Sequence, residues 1–216
     1  MDYLILFNFR LEHRSLVDVY NILRKRLIEE VIENEVVIVH IDVNSPDIVL
    51  YVPTIFAIIS TSNAFHFVDS AENIGKTLDE VGSRVVVTCK DDLNILAPDK
   101  IELRVYADKA PKRPPDDTVY LIKTSGSTGA AKTIYVTAAS VVPNLRDMAA
   151  ELRPSARDVI LLSSPPTFDP HIVDVFLAFS SGATLLVTPR RLLQTQRELC
   201  LDTVTILHCT PSLLLR

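Results

Sequence analysis

Apolar side chains at Leu16, Val19, Leu23, Leu27 and Val31 recur at helical spacing, with Arg24, Lys25, Glu29 and Glu30 largely off that stripe. The pattern predicts a core-packing helix that Ser15 opens, with Asp18 at the capping-box distance. The period then changes. Val36 to Val43 is nearly all β-branched, as in a strand buried on both faces. Ser45-Pro46 starts another helix, Pro53 bends or restarts it, and Ile55 to Ile59 continues its apolar run. A helix is predicted over Ala71 to Val81, and strands over Val85 to Thr88 and Glu102 to Tyr106. The run A-D-K-A-P-K-R-P-P-D-D, Ala107 to Asp117, is an exposed connector between parts of one domain.

Val119 to Lys123 reads as a short buried strand, and Ile134, Tyr135 and Val136 favour a second one. Thr137 can cap a helix running towards Leu152. Strands follow over Asp158 to Ser163, Ala183 to Val187 and Thr203 to Leu207. Helices fall over Ile172 to Phe179, with Gly182 as a stop signal, and over Leu192 to Cys200. A last helix starts at Thr210-Pro211-Ser212. Strands alternating with helices imply βαβ crossovers, so the predicted class is α/β, with layered, largely parallel sheets flanked by helices.

Composition narrows the function classes. With 48% hydrophobic residues, 216 residues can bury a substantial core. A net charge of -5 argues against nucleic acid as a partner. Cys89, Cys200 and Cys209 are odd in number and form no C-x-x-C, which fits a reduced, intracellular protein. Met1 to Phe7 lacks the basic start and long apolar core of a signal peptide. No apolar run approaches the ~18 residues of a membrane helix. A cytoplasmic protein without a membrane partner is expected.

The chemistry concentrates between the strands at Val119 and Ile134. Thr124, Ser125, Gly126, Ser127, Thr128 and Gly129 are all small or hydroxylated, and Lys132 follows. Two of the chain's five glycines fall here. Glycines let backbone approach an anion, hydroxyls donate to phosphate oxygens, and lysine supplies a point charge. A plain polar loop is one alternative. A Walker A loop is another, but Ala131 stands where its second glycine belongs and a strand-forming triplet follows where it needs a helix.

The run T-S-G-S-T-G-x-x-K resembles the phosphate-binding signature [YT]-T-S-G-[ST]-T-G-x-P-K-G of the adenylate-forming superfamily. That superfamily includes acyl-CoA synthetases, luciferases and amino-acid adenylation domains. Ala131 replaces its usual proline and Thr133 its usual glycine, and the Thr-His pair common downstream reads Thr137-Ala138. Ala64 to Asp69 resembles in part the superfamily motif A-x-Y-V-P-[IL]-[DE], in which a helix ends; His66 within it reads as a structural residue.

A second constellation is Thr167-Phe168-Asp169-Pro170-His171. Asp169 stands after a predicted strand and at the start of an apolar helix, where open α/β sheets place ligands. By position alone an N-terminal helix cap is the more common role. The resemblance adds another: amino-acid adenylation domains carry F-D-x-S here, and their aspartate pairs with the substrate's amino group. Here His171 replaces the serine. The resemblance is clearest over Val119 to Arg216, including H-C-T-P-S-L-L-L-R, and points to a branch that activates a small amino acid such as β-alanine.

The resemblance implies ATP-dependent activation of a carboxylate to an acyl-adenylate, then transfer to a phosphopantetheine thiol. Thr124 to Gly129 and Lys132 would hold the pyrophosphate end, and Asp169 the substrate. Mg²⁺ is expected as cofactor, and a carrier domain elsewhere in a full-length protein as partner. The chain is expected to be the N-terminal part of the adenylation domain, its C-terminal part absent, and inactive alone. The alternative is a truncated, catalytically inactive nucleotide-binding or regulatory fragment.

Overall fold

Val19, Leu23 and Leu27 are the buried stripe of helix α1 (His13–Glu30). The computed structural model describes residues 13–90, 100–124, 132–195 and 201–211. The chain divides into two units, one of residues 10–140 and one built on residues 141–216. Each is considered by itself.

In the first unit, β1 (Val36–His40) is central because four of its five residues are fully buried, so neither face needs polar side chains. Its neighbours are β2 (Ala64–Phe67) and β3 (Val85–Cys89), both parallel to it. Parallel pairing requires a crossover on each side. The first is a 3-10 turn (Pro46–Leu50) running into α2 (Tyr51–Ile59), and the second is a short turn (Ala71–Asn73) running into α3 (Ile74–Val81). β4 (Ile101–Val105) pairs antiparallel with β3. After the connector, β5 (Thr118–Thr124) returns beside β2 in parallel, and β6 (Lys132–Thr137) folds back on it antiparallel. The sheet order is β4-β3-β1-β2-β5-β6.

Packing against the sheet is apolar and aromatic. Tyr51 of α2 meets Phe65 and Phe67 edge-on at 6.2 and 5.5 Å, and Phe65 stacks on Tyr120 at 5.7 Å. Leu78 and Val81 of α3 cover Val36, Ile38 and Leu121. Two buried ion pairs fix the frame. Arg84 forks onto Glu35 with Nη2 and Nε at 2.9 and 3.0 Å, tying the start of β3 to the start of β1. Lys100, 1% exposed, pairs with Asp47 at 2.8 Å.

The second unit has a parallel pair, β7 (Val159–Leu161) and β8 (Thr184–Leu186), joined through α5 (Pro170–Ser181). Gly182 ends α5 in the left-handed region, as its stop role required. α6 (Arg190–Thr195) follows. α4 (Ala138–Leu152) begins in the first unit, where the Ser140 hydroxyl oxygen accepts the Thr137 N–H at 3.2 Å, a reciprocal cap.

Several expectations shift. α1 already includes His13, so Ser15 does not open it. Pro53 is the third residue of α2, where its missing N–H costs nothing. Ala64–Phe67 is a strand, not a helix end. Thr203 to Leu207 forms only a single parallel bridge, Ile160 to Ile206. There the Thr205 hydroxyl, 46 positions on in the chain, accepts the Val159 N–H at 2.9 Å in place of a backbone carbonyl. Residues 196–200 and 212, where two predicted helices continue, lie outside the described residues. Among the described residues no helix is long and apolar enough to cross a membrane.

Gly82 terminates α3 at φ 65°, and a Cβ there would lie 2.5 Å from Cγ of Lys112 in the connector. Gly82→Ala is therefore expected to lower the free energy of unfolding by about 1–3 kcal/mol. Gly75→Ala, in α3 with nothing within 4 Å of the added methyl, is expected to raise it by about 0.5–1 kcal/mol. Urea denaturation of the two variants checks the pair, and coincident midpoints would refute the backbone argument.

Candidate active site

β5 and β6 form a ladder whose open end carries the predicted phosphate residues. Thr124 and Lys132 are its last cross-strand partners. Directly opposed residues project to the same face of a sheet, so both side chains leave the hairpin mouth together. Ser125, Gly126, Ser127, Thr128 and Gly129 connect them and lie outside the described residues. Thr124 and Lys132 are exposed, and Lys132 makes no ion pair among the described residues.

Lys123 and Thr133, one step back, project from the opposite face. There Lys123 Nζ lies 2.5 Å from Glu80 Oε2 and donates to Thr77 Oγ1 at 3.5 Å, both on α3. That bond, before any other cause, holds the Glu80 carboxyl below its ordinary range. The two lysines flanking the loop thus have different fates: one is clamped to α3, the other is displayed. His66 is buried in β2, and its Nδ1–H donates to the Leu121 carbonyl at 2.9 Å. Burial lowers its pKa. It serves the sheet, as its sequence context implied. The Lys123–Glu80 clamp spans 43 positions and leaves no local mark in the sequence.

In the second unit, Asp169 occupies the N-cap position of α5, with helical φ −44° and ψ −43°. Its side chain makes no capping hydrogen bond, and the residue is exposed beside a half-exposed Phe168. The local turn is closed instead by His171, whose ring Nδ1–H donates to the Phe168 carbonyl at 2.7 Å. His171 is buried, and burial drives its pKa down to about 4.

One turn further along α5 is a residue that sequence reading passed over. Asp174 is completely buried, and burial pushes its pKa up to about 8. Its Oδ1 lies 3.2 Å from Nδ1 of His208, and among the described residues its Oδ2 has no hydrogen-bond partner. Ser163, just past β7, donates its O–H to the His208 carbonyl. The only available signal was a lone acid inside the apolar run H-I-V-D-V-F-L. Among the described residues, no three His, Cys, Asp or Glu side chains gather into a metal site.

Comparison with known proteins gives concordant results. A family model described as AMP-binding enzyme matches residues 32–216. The beta-alanine-activating enzyme of Danio rerio is 41% identical over 102 residues, which are 45% of this chain and 9% of that protein. The delta-poly-L-ornithine synthetase of Acinetobacter baumannii is 33% identical over 107 residues, 48% of this chain and 8% of that protein. The matched stretch is thus about a tenth of these curated relatives. Among solved structures, holo-AB3403, a four-domain nonribosomal peptide synthetase bound to AMP and glycine, matches with a TM-score of 0.71 at 19% identity. The match covers 93% of this chain and 16% of that one. The nonribosomal peptide synthetase FmoA3 matches at 0.68 and 26% identity, over 93% and 22%.

His171 and Asp174 give the stability of the second unit a defined pH dependence. His171, depressed from 6.5 to about 4, contributes stability that is present above 6.5 and lost as pH falls towards 4. Asp174, raised from 3.8 to about 8, contributes stability that is present below 3.8 and lost as pH rises through 8. Between 4 and 6.5 the two slopes oppose; from 6.5 to 8 only Asp174 acts. Stability should therefore fall across that upper window, and Asp174→Asn should flatten the fall. Chemical denaturation at a series of pH values decides it; a wild-type curve that rises there contradicts the assignment.

Proposed function

The chain belongs to the AMP-binding enzyme family, and from that membership we propose that it is the first part of an adenylation domain that activates a small amino acid of the β-alanine kind. In the proposed reaction a carboxylate oxygen attacks the α-phosphorus of ATP. The bond to the β-phosphate oxygen breaks, and pyrophosphate leaves with the electron pair. A pantetheine thiol, borne by a carrier domain, then displaces AMP from the acyl carbon to give a thioester.

One observation carries the reading: the signature T-S-G-S-T-G-x-x-K spans a hairpin mouth at which Thr124 and Lys132 leave the same face. Thr124, Ser125, Gly126, Ser127, Thr128, Gly129 and Lys132 are assigned to the departing pyrophosphate. Lys132 neutralises charge that builds on the leaving group, and the hydroxyls and backbone orient it. The clamp of Lys123 to Glu80 keeps the neighbouring cation on the other face. Asp169 is assigned to the substrate ammonium; it is exposed at a helix start. Similarity to beta-alanine-activating enzymes supports this choice of substrate. Mg²⁺ would neutralise phosphate charge, but the described residues offer no ligand set for it, so no step is assigned to it.

Two variants of the complete polypeptide that carries this sequence test the reading. Lys132→Ala should slow amino-acid-dependent ATP–pyrophosphate exchange by at least about tenfold, the equivalent of roughly 1.4 kcal/mol. An unchanged rate removes the loop from the site. Asp169→Asn should erode the preference for β-alanine over propionate, which lacks the amine. If the preference survives while only the melting temperature drops, Asp169 serves the helix and not the substrate.

A further inference from the structure

The buried acid on α5 is not used by the chemistry above. Asp174 lies fully inside the second unit, within an otherwise apolar helix face that buries Ile172, Val173, Val175 and Leu177. An isolated buried carboxyl group is costly and is retained where it has a task. Among the described residues its bonded partner is His208, whose side chain is 36% exposed. His208 stands two residues beyond Ile206, the bridge partner of Ile160, and Ser163 holds its carbonyl. Asp174 therefore reaches the surface through an imidazole at the carboxyl ends of parallel segments. The α5 start, with Asp169, stands at the same end, where α/β sheets bind ligands.

Proton counting defines what that imidazole presents. With one exchangeable proton on the pair, the carboxylate accepts Nδ1–H, Nε2 is bare, and a net negative charge sits buried with Oδ2 unbonded. With two, the pair is neutral whichever atom holds the shared proton, and Nε2 keeps its hydrogen. Full burial and the lack of any partner for Oδ2 favour the neutral pair. The raised pKa of Asp174 points the same way. We propose that Asp174 is a positioning residue: its buried carboxyl group fixes the imidazole of His208 so that Nε2–H faces outward as a donor to an oxygen of the bound amino acid. The ligand half of this assignment rests on the amino-acid-activating reading, whereas the pairing does not.

Nitrogen NMR of the 216-residue chain labelled at its five histidines tests the pairing. His208→Gln assigns the signal, and a protonated Nε2 is expected at neutral pH. The complete polypeptide tests the role. Asp174→Leu keeps the branched shape and Asp174→Asn also keeps polarity. Asp174→Leu should raise the KM for β-alanine at least about tenfold while leaving the KM for ATP within about twofold, and Asp174→Asn, whose amide N–H can still donate to Nδ1, should raise it less. A merely structural acid would instead shift the melting temperature and leave that ratio alone. An unprotonated Nε2 in the wild type, or an unchanged β-alanine KM in both variants, overturns the proposal. Absence of exchange in the wild type counts against amino-acid activation itself, and the NMR result still decides the pairing.

Discussion

A strand paired on both sides has no freedom of register, and β1 is held in that way. Its backbone bonds to β2 on one edge and β3 on the other, with Ile38 facing His66 in one ladder and Val86 in the other. A shift of one residue would exchange the side chains packed on its two faces and break both ladders at once. The forked bond from Arg84 to Glu35 adds a polar constraint at the point where β1 and β3 begin. Because the pairing is parallel, all three strands end at the same side. β5 joins β2 in the same direction and so brings Thr124 to that side as well. The placement of the residues proposed to hold phosphate follows from this polarity.

Two acids of α5 are used in opposite ways. Asp169 stands at a helix start and is exposed. Asp174, one turn on, is sealed among apolar neighbours, where ionisation is disfavoured and its chemistry passes through His208. Five positions along one helix separate an exposed carboxyl group from a buried one whose ionisation burial disfavours. The exposure of the surface each faces, not the residue type, assigns the role.

What the sequence made legible follows from the range of the interactions involved. The β-branched run at Val36, the triplet Ile134 to Val136 and the Gly182 stop are decided by nearest neighbours, and each appears as expected. The T-S-G-S-T-G-x-x-K signature placed the chain in its family, and a strand stands on either side of it as expected. Features set at long range were not readable. The Lys123–Glu80 clamp, the Asp174–His208 pair and the conversion of Thr203 to Leu207 into a single bridge each need partners 34 to 46 positions apart. Ala64–Phe67 became a strand because β1 and β5 flank it, which overrode its likeness to a helix end.

The order in which the sheet closes has a bearing on when the molecule becomes competent. β1, β2 and β3 come from one continuous stretch, and each pairs with a neighbour fewer than 50 residues away. β5 instead returns from beyond the connector to meet β2 through only two registered pairs, Phe65 with Tyr120 and His66 with Leu121. Such a contact closes the longest loop of the sheet and comes late in assembly. β5 carries Thr124, so a ligand at the site proposed for it would bind only to chains in which that long loop is already closed. Nucleotide affinity in this unit would then be a readout of completed folding, and the nucleotide itself would act as a thermodynamic latch on the final strand.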